Sequence, residues 1–200
     1  MTVRFPKLLW APVLIVNAAF AAQNADIGLM LGLIPGGTQA VAGSYNSVST
    51  SVGAGLQFNV GYQVRKTPVG DLWIESPFTF GISGDVLSGP GASVTGHGSF
   101  YWTPGVRFKV PVESHISFYG VAGGGLANVL DTGVVASRVS SVTVGDSAHA
   151  ALDFGGGMDF RLTRLLSFRG EARDFVTSKG LAGASGRNHP FYLFGIAFHF

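Results

Sequence analysis

Ser51 to Arg65 reads SVGAGLQFNVGYQVR. Val52, Ala54, Leu56, Phe58, Val60, Tyr62 and Val64 take the even positions. Ser51, Gly53, Gly55, Gln57, Asn59, Gly61, Gln63 and Arg65 take the odd ones. Successive side chains of a strand point to opposite faces, so the stretch predicts one long strand with an apolar face and a polar face.

The same parity recurs in both directions along the chain, over Asp26–Leu33, Asp71–Ser83, Ser99–Val110, Ile116–Leu126, Leu152–Arg161, Leu166–Arg173 and Phe191–Phe200. Ile116–Leu126 is glycine-rich and its faces are the least distinct. That makes eight strands. On the face opposite the apolar one stand five acids, Asp26, Glu75, Asp153, Asp159 and Glu171. Five bases share that face: Arg107, Lys109, Arg161, Arg169 and Arg173. Buried charges must be paired. The balanced set therefore reads as an internal ion-pair network built around the Arg169, Glu171, Arg173 ladder. The other reading of that ladder is a polar gate.

A soluble barrel could also alternate, with its apolar face inside. Three features favour the inverse arrangement. The expected connections alternate in length: 66–70, 111–115 and 162–165 are short, whereas 34–50, 84–98, 127–147 and 178–190 are long and rich in Gly and Ser. Membrane barrels have short periplasmic turns and long outer loops. The polar face is also full of glycine, where a soluble core would need Leu and Ile. Small and charged residues can instead fill a narrow eight-stranded interior. Finally, Tyr62, Phe108, Phe118, Phe160, Phe168, Phe198 and Phe200 fall near the short-turn end of the apolar face, and Phe80, Phe100, Trp102 and Tyr192 near the other. Two aromatic girdles flanking an apolar band belong at membrane interfaces, although Phe also favours strands in general.

Composition agrees. Charged residues are 12% and hydrophobic residues 46% of the 200, with 30 Gly, 16 Phe and no Cys; soluble domains carry roughly 25% charge. Without cysteine there are no disulfides or thiolate metal sites. Residues 1–21 read MTVRFPKLLWAPVLIVNAAFA: basic Arg4 and Lys7, an apolar run from Leu8 to Val16 and the Ala19-Phe20-Ala21 cleavage pattern. This order predicts a secretory signal peptide cleaved after Ala21, or after Ala22. The run is too short for the ~20 residues of a spanning helix. With Arg4 and Lys7 set aside, 11 bases face 11 acids, which leaves no electrostatic case for nucleic acid. Residues 22–200 are expected to be one all-β domain, an eight-stranded antiparallel up-and-down transmembrane barrel with both termini periplasmic. Closure satisfies the strand edges that lipid cannot.

The stretch DFGGGMDFRLTRLLSFRGEARDF, Asp153 to Phe175, resembles the sixth strand, tight turn and seventh strand of the OmpA-like and OmpX-like eight-stranded outer-membrane barrels. The ending FYLFGIAFHF resembles their last strand. The resemblance implies an outer-membrane location, contact with lipid and lipopolysaccharide, and a monomer. It also implies recognition by the barrel-assembly machinery through Ile196, Phe198 and Phe200. It departs in lacking a peptidoglycan-binding domain after the barrel. By strict parity Asp174 falls on the lipid side and Phe175 inside, which predicts a bulge or a strand end near Thr177.

Some small barrels of this kind modify lipid A. His97-Gly98-Ser99 faintly resembles the His-x-Ser of lipid A deacylases. However, parity turns Ser99 inward, and no acid close in sequence orients His97, as a catalytic base requires. His115, His149, His189 and His199 lack metal-ligand spacing. Gly123–Gly125 and Gly155–Gly157 are not phosphate loops and read as relief of crowding or as strand curvature. The sequence thus predicts no catalytic, cofactor-binding or metal-binding residues. It predicts a non-enzymatic envelope or surface-interaction protein with a filled lumen; the alternatives are a narrow channel for ions or small solutes, a lipid A-modifying enzyme and a soluble secreted barrel.

Overall fold

The structure, a computed structural model, describes residues 24–40, 47–88, 93–134, 148–178 and 188–200. The expected leader, residues 1–21, lies outside the described residues. The strands are β1 (Ala25–Ile34), β2 (Gly37–Ala40), β3 (Ser47–Thr50), β4 (Gly53–Lys66), β5 (Asp71–Ser88), β6 (Ser93–Trp102), β7 (Gly105–Pro111), β8 (Ile116–Val134), β9 (His149–Arg161), β10 (Leu166–Thr177) and β11 (Asn188–His199). All ladders are antiparallel. β1 pairs with β4 on one side and with β11 on the other, Asp26 opposite His199 and Leu33 opposite Tyr192, so the sheet closes on itself.

The barrel has eight staves. β6 and β7 form one of them, interrupted at Thr103-Pro104 and facing β8 throughout. Proline has no N–H to give to a ladder; the Pro104 carbonyl instead accepts from Gly124 N at 3.1 Å. The short β2–β3 hairpin leans on the far end of β5. One bulge interrupts β4 against β5, between Gln63 and Arg65.

The parity of the sequence becomes an inside and an outside. Leu31, Ile74, Phe118, Phe154, Phe168 and Phe194 are all more than half exposed on the outer surface. The fully buried large side chains are led by Arg107, Arg169 and Arg173. The apolar face therefore points out and the charged face in, the inverse of a soluble barrel.

Three expectations need correction. Residues 84–98 and 127–147 are not wholly loop: β5 runs to Ser88, β6 begins at Ser93 and β8 runs to Val134. Their small and polar residues blur the alternation, but the backbone ladder continues without it. The 34–50 connection likewise contains the β2–β3 hairpin. Finally, of the two readings offered for Asp174 and Phe175, the strand end is found, since β10 stops at Thr177, and the bulge is not. β10 keeps its register through Thr177, Phe175 is wholly buried in the lumen, and outward Asp174 accepts a hydrogen bond from Asn188 Nδ2 at 2.6 Å.

Candidate functional site

The site is the lumen, and it has two halves. In the half nearer the short turns, charges project from β1, β5, β7, β9 and β10. Arg169 grips Asp159 with two nitrogens, Nε to Oδ1 at 2.7 Å and Nη2 to Oδ2 at 3.0 Å. Its Nη2 also donates to Asp26 Oδ2 at 2.8 Å, and Asp26 Oδ1 takes Arg107 Nη2 at 2.8 Å. Lys109 Nζ reaches Asp159 Oδ2 at 2.5 Å. Such fork-shaped, charge-assisted contacts are the strong ones among hydrogen bonds.

Arg173 organises a second cluster. Its Nη2 donates to Glu75 Oε1 at 2.6 Å, its Nη1 to Asp153 Oδ2 at 2.5 Å and its Nε to Glu171 Oε1 at 2.9 Å. Glu75 Oε2 lies 3.4 Å from Arg107 Nε and ties the two clusters together. The ring of Tyr119 lies beneath both guanidiniums, 5.6 Å from Arg107 and 5.5 Å from Arg169, and its hydroxyl donates to Glu171 Oε2 at 3.0 Å. Trp73 holds Arg107 from another side, 5.2 Å from its centroid. Glycine makes the room: a Cβ on Gly61 would strike Arg107 and Asp26, and one on Gly157 would strike Tyr119.

Nine of the ten luminal charges expected from the sequence thus meet in this network. Arg161 does not. It ends β9 with an exposed side chain at the rim, because a residue of inward parity at the last position of a strand has open space beside it. Glu75, distant in sequence from the Arg169–Arg173 ladder, contacts Arg173 directly across the barrel.

The other half of the lumen is apolar. Met30, Tyr101, Ala127, Ala151, Phe175, Phe191 and Leu193 form one buried cluster. Tyr101 and Phe175 stack at 4.4 Å between centroids, and Phe191 sits edge-on to both at 5.7 and 5.3 Å. Gly55 and Gly81 leave space for the Phe191 ring. No motif marks these aromatics in the sequence. The available signal was parity itself, which turns Tyr101, Phe175, Phe191 and Leu193 inward. Parity likewise turns Gln57, Asn59 and Thr79 inward, where Gln57 Nε2 donates to Glu171 Oε1 at 3.0 Å, Asn59 Nδ2 to Glu75 Oε2 at 3.0 Å and Thr79 Oγ1 to Gln57 Oε1 at 2.8 Å.

Beneath the charged network a vestibule of about 520 Å³ opens at the short-turn end. Lys109, Asp159, Ser167 and His199 help to line it, and Lys66, Arg161 and Arg164 are near its mouth. Ser167 Oγ and His199 Nε2 are 2.8 Å apart, but Ser167 is buried. Among the described residues no group of three or more His, Cys, Asp or Glu could hold a metal ion. The backbone register sets His97 across from Asp131 and Ser83; its side chain lies outside the described residues. Ile196, Phe198 and Phe200 are on the outer surface, with Phe198 and Phe200 exposed.

The architecture is that of the eight-stranded outer-membrane β-barrels. The outer membrane protein OprG of Pseudomonas aeruginosa superposes with a TM-score of 0.67 at 12% identity, over 90% of this chain and 96% of that one. Neisserial surface protein A gives 0.57 at 12% identity, over 90% and 98%. At that identity the likeness concerns the fold. No family model matches the chain, and no curated protein sequence does.

Proposed function

We propose that this protein is a non-enzymatic, monomeric outer-membrane barrel that strengthens the envelope or displays its outer connections, and that its lumen is a plug and not a pore. The carrying observation is the double filling of that lumen. Eight strands leave an interior just wide enough for side chains, and here paired guanidiniums occupy one half and a three-ring cluster the other. In this reading the short turns and both termini face the periplasm, the long connections face outward, and lipid and lipopolysaccharide cover the apolar band.

Purified protein in a planar bilayer should give no steady conductance. A tag at Asn46 or Val139 should be accessible on intact cells, and one between Arg65 and Asp71 should not. The opposite labelling would invert the orientation. The vestibule favours a second reading, a channel closed only at the charged layer; steady openings by the unaltered protein would put that reading first. Phe200, with Ile196 and Phe198, is proposed as the assembly signal. Normal yield of heat-modifiable barrel from a Phe200→Asp chain would remove that role.

A further inference from the structure

The short-turn end of the lumen gathers cations that meet no acid. Lys66 closes β4, and Arg161 and Arg164 belong to the turn from β9 to β10. All three are exposed, and all three line the vestibule. None forms an ion pair with a described carboxylate, whereas Lys109, which lines the same space, holds Asp159. The rest of the chain has no acid to offer them. The acids whose side chains lie outside the described residues are Asp85 and Asp131, near the long-connection ends of β5 and β8, and Asp146, on the connection that follows β8.

The charge is uneven around the mouth. Asp71 and Glu113 also line it. Asp71 stands across the ladders from Lys66 and Lys109, and Glu113 is in the turn from β7 to β8. The β9–β10 side has no acid from Phe160 to Gly170. There Arg161 faces Ser167 across the ladder, and Ser167 Oγ lies 2.8 Å from His199 Nε2. The vestibule also has an unused donor. Trp73 lines it and is 7% exposed, and its indole N–H meets no acceptor among the described residues. Buried N–H groups almost always find a partner.

Two guanidiniums, an ammonium and an indole N–H thus border one open space. Guanidinium forks match the oxygens of carboxylates and phosphates. A phosphate monoester offers three strong acceptor oxygens and nearly two negative charges; a carboxylate offers two oxygens and one charge. The larger anion satisfies more of these donors, and the volume of about 520 Å³ leaves room for the group that carries it. We propose that the vestibule binds a phosphate-bearing anion, gripped by Arg161 and Arg164, with Lys66 contributing from the β4 side. The phosphate belongs to a lipid headgroup at that end of the barrel or to a free organic phosphate. The inference is independent of whether the barrel is a plug or a channel, since the vestibule lies below the charged layer.

The test is calorimetric titration of the refolded full barrel, in neutral detergent at low salt, with glycerol 3-phosphate. Binding should saturate at one per barrel. Replacing both arginines, Arg161→Gln with Arg164→Gln, should weaken it by about tenfold or more, as loss of hydrogen bonds to charged groups does. Both side chains are exposed and outside the buried network, so the variant should keep the heat-modifiable barrel. Lys66→Gln should weaken binding several-fold. Arg65→Gln should leave it unchanged, because Arg65 is exposed beside Lys66 but does not line the vestibule. Absence of saturable binding, or binding that survives loss of both arginines, overturns the proposal. Equal weakening by Arg65→Gln also overturns it, in favour of general charge attraction. Acetate that binds as tightly as glycerol 3-phosphate overturns the phosphate assignment. Short-chain phosphatidylglycerol, added as monomers, separates the sources. If it binds more tightly than glycerol 3-phosphate and depends on the same arginines, the phosphate is a lipid headgroup's. If only glycerol 3-phosphate binds, the phosphate is a free molecule's.

Discussion

The two halves of the lumen fill the same kind of space by opposite means. Near the short turns, Arg107, Arg169 and Arg173 are fixed by directional contacts to named oxygens on three other strands. Nearer the long connections, Tyr101, Phe175 and Phe191 are held by shape, with glycines cut away beneath Phe191. The first arrangement tolerates no missing partner, because an orphaned charge in a low dielectric costs more than the pair contributes. The second tolerates changes that keep its volume. A narrow barrel can therefore be closed by chemistry at one level and by packing at another, and the two should respond differently to substitution.

The largest effect should come from the ionic half. Arg173→Met removes the one guanidinium shared by Glu75, Asp153 and Glu171 and should cost about 3–5 kcal/mol, the cost of breaking a buried pair. Urea unfolding in lipid vesicles measures it. Acidification should return part of the loss, since protonating the stranded carboxylates removes their charge; a loss that does not depend on pH would mean that volume and not charge was at stake. Phe175→Ala should come next, at about 3 kcal/mol, the low end for truncating a buried ring, and Phe175→Leu should recover most of it. If Leu is no better than Ala, the apolar half is not held by packing.

Coupling should sharpen the contrast further. A double-mutant cycle between Asp26→Asn and Arg169→Met, within the ionic half, should show an interaction of about 0.5–3 kcal/mol. The smallest effect should be the coupling between halves. Arg169→Met with Phe191→Ala should be additive to within about 0.5 kcal/mol, as separated sites are. A large cross term would show that the two fillings act as one body.

Much of this was legible in the order of residues. A side-chain period of two over eight segments determined strands, and charge confined to one parity with aromatics on the other determined which face is inside. Alternating connection lengths determined an up-and-down path. Parity carries no information about where a strand stops, so β5, β6 and β8 extend past the point where their alternation fades. It also does not distinguish the middle of a strand from its end, so Arg161 has the parity of a buried charge and stands at the rim. Which carboxylate meets which guanidinium, that Glu75 crosses the barrel to Arg173, and that Phe175 and Phe191 join Tyr101 in a plug were decided only by closure of β1 onto β11. Curling the sheet brings residues far apart in the chain to a common axis, and the spacing across that axis depends on stagger and strand tilt, which no local pattern encodes.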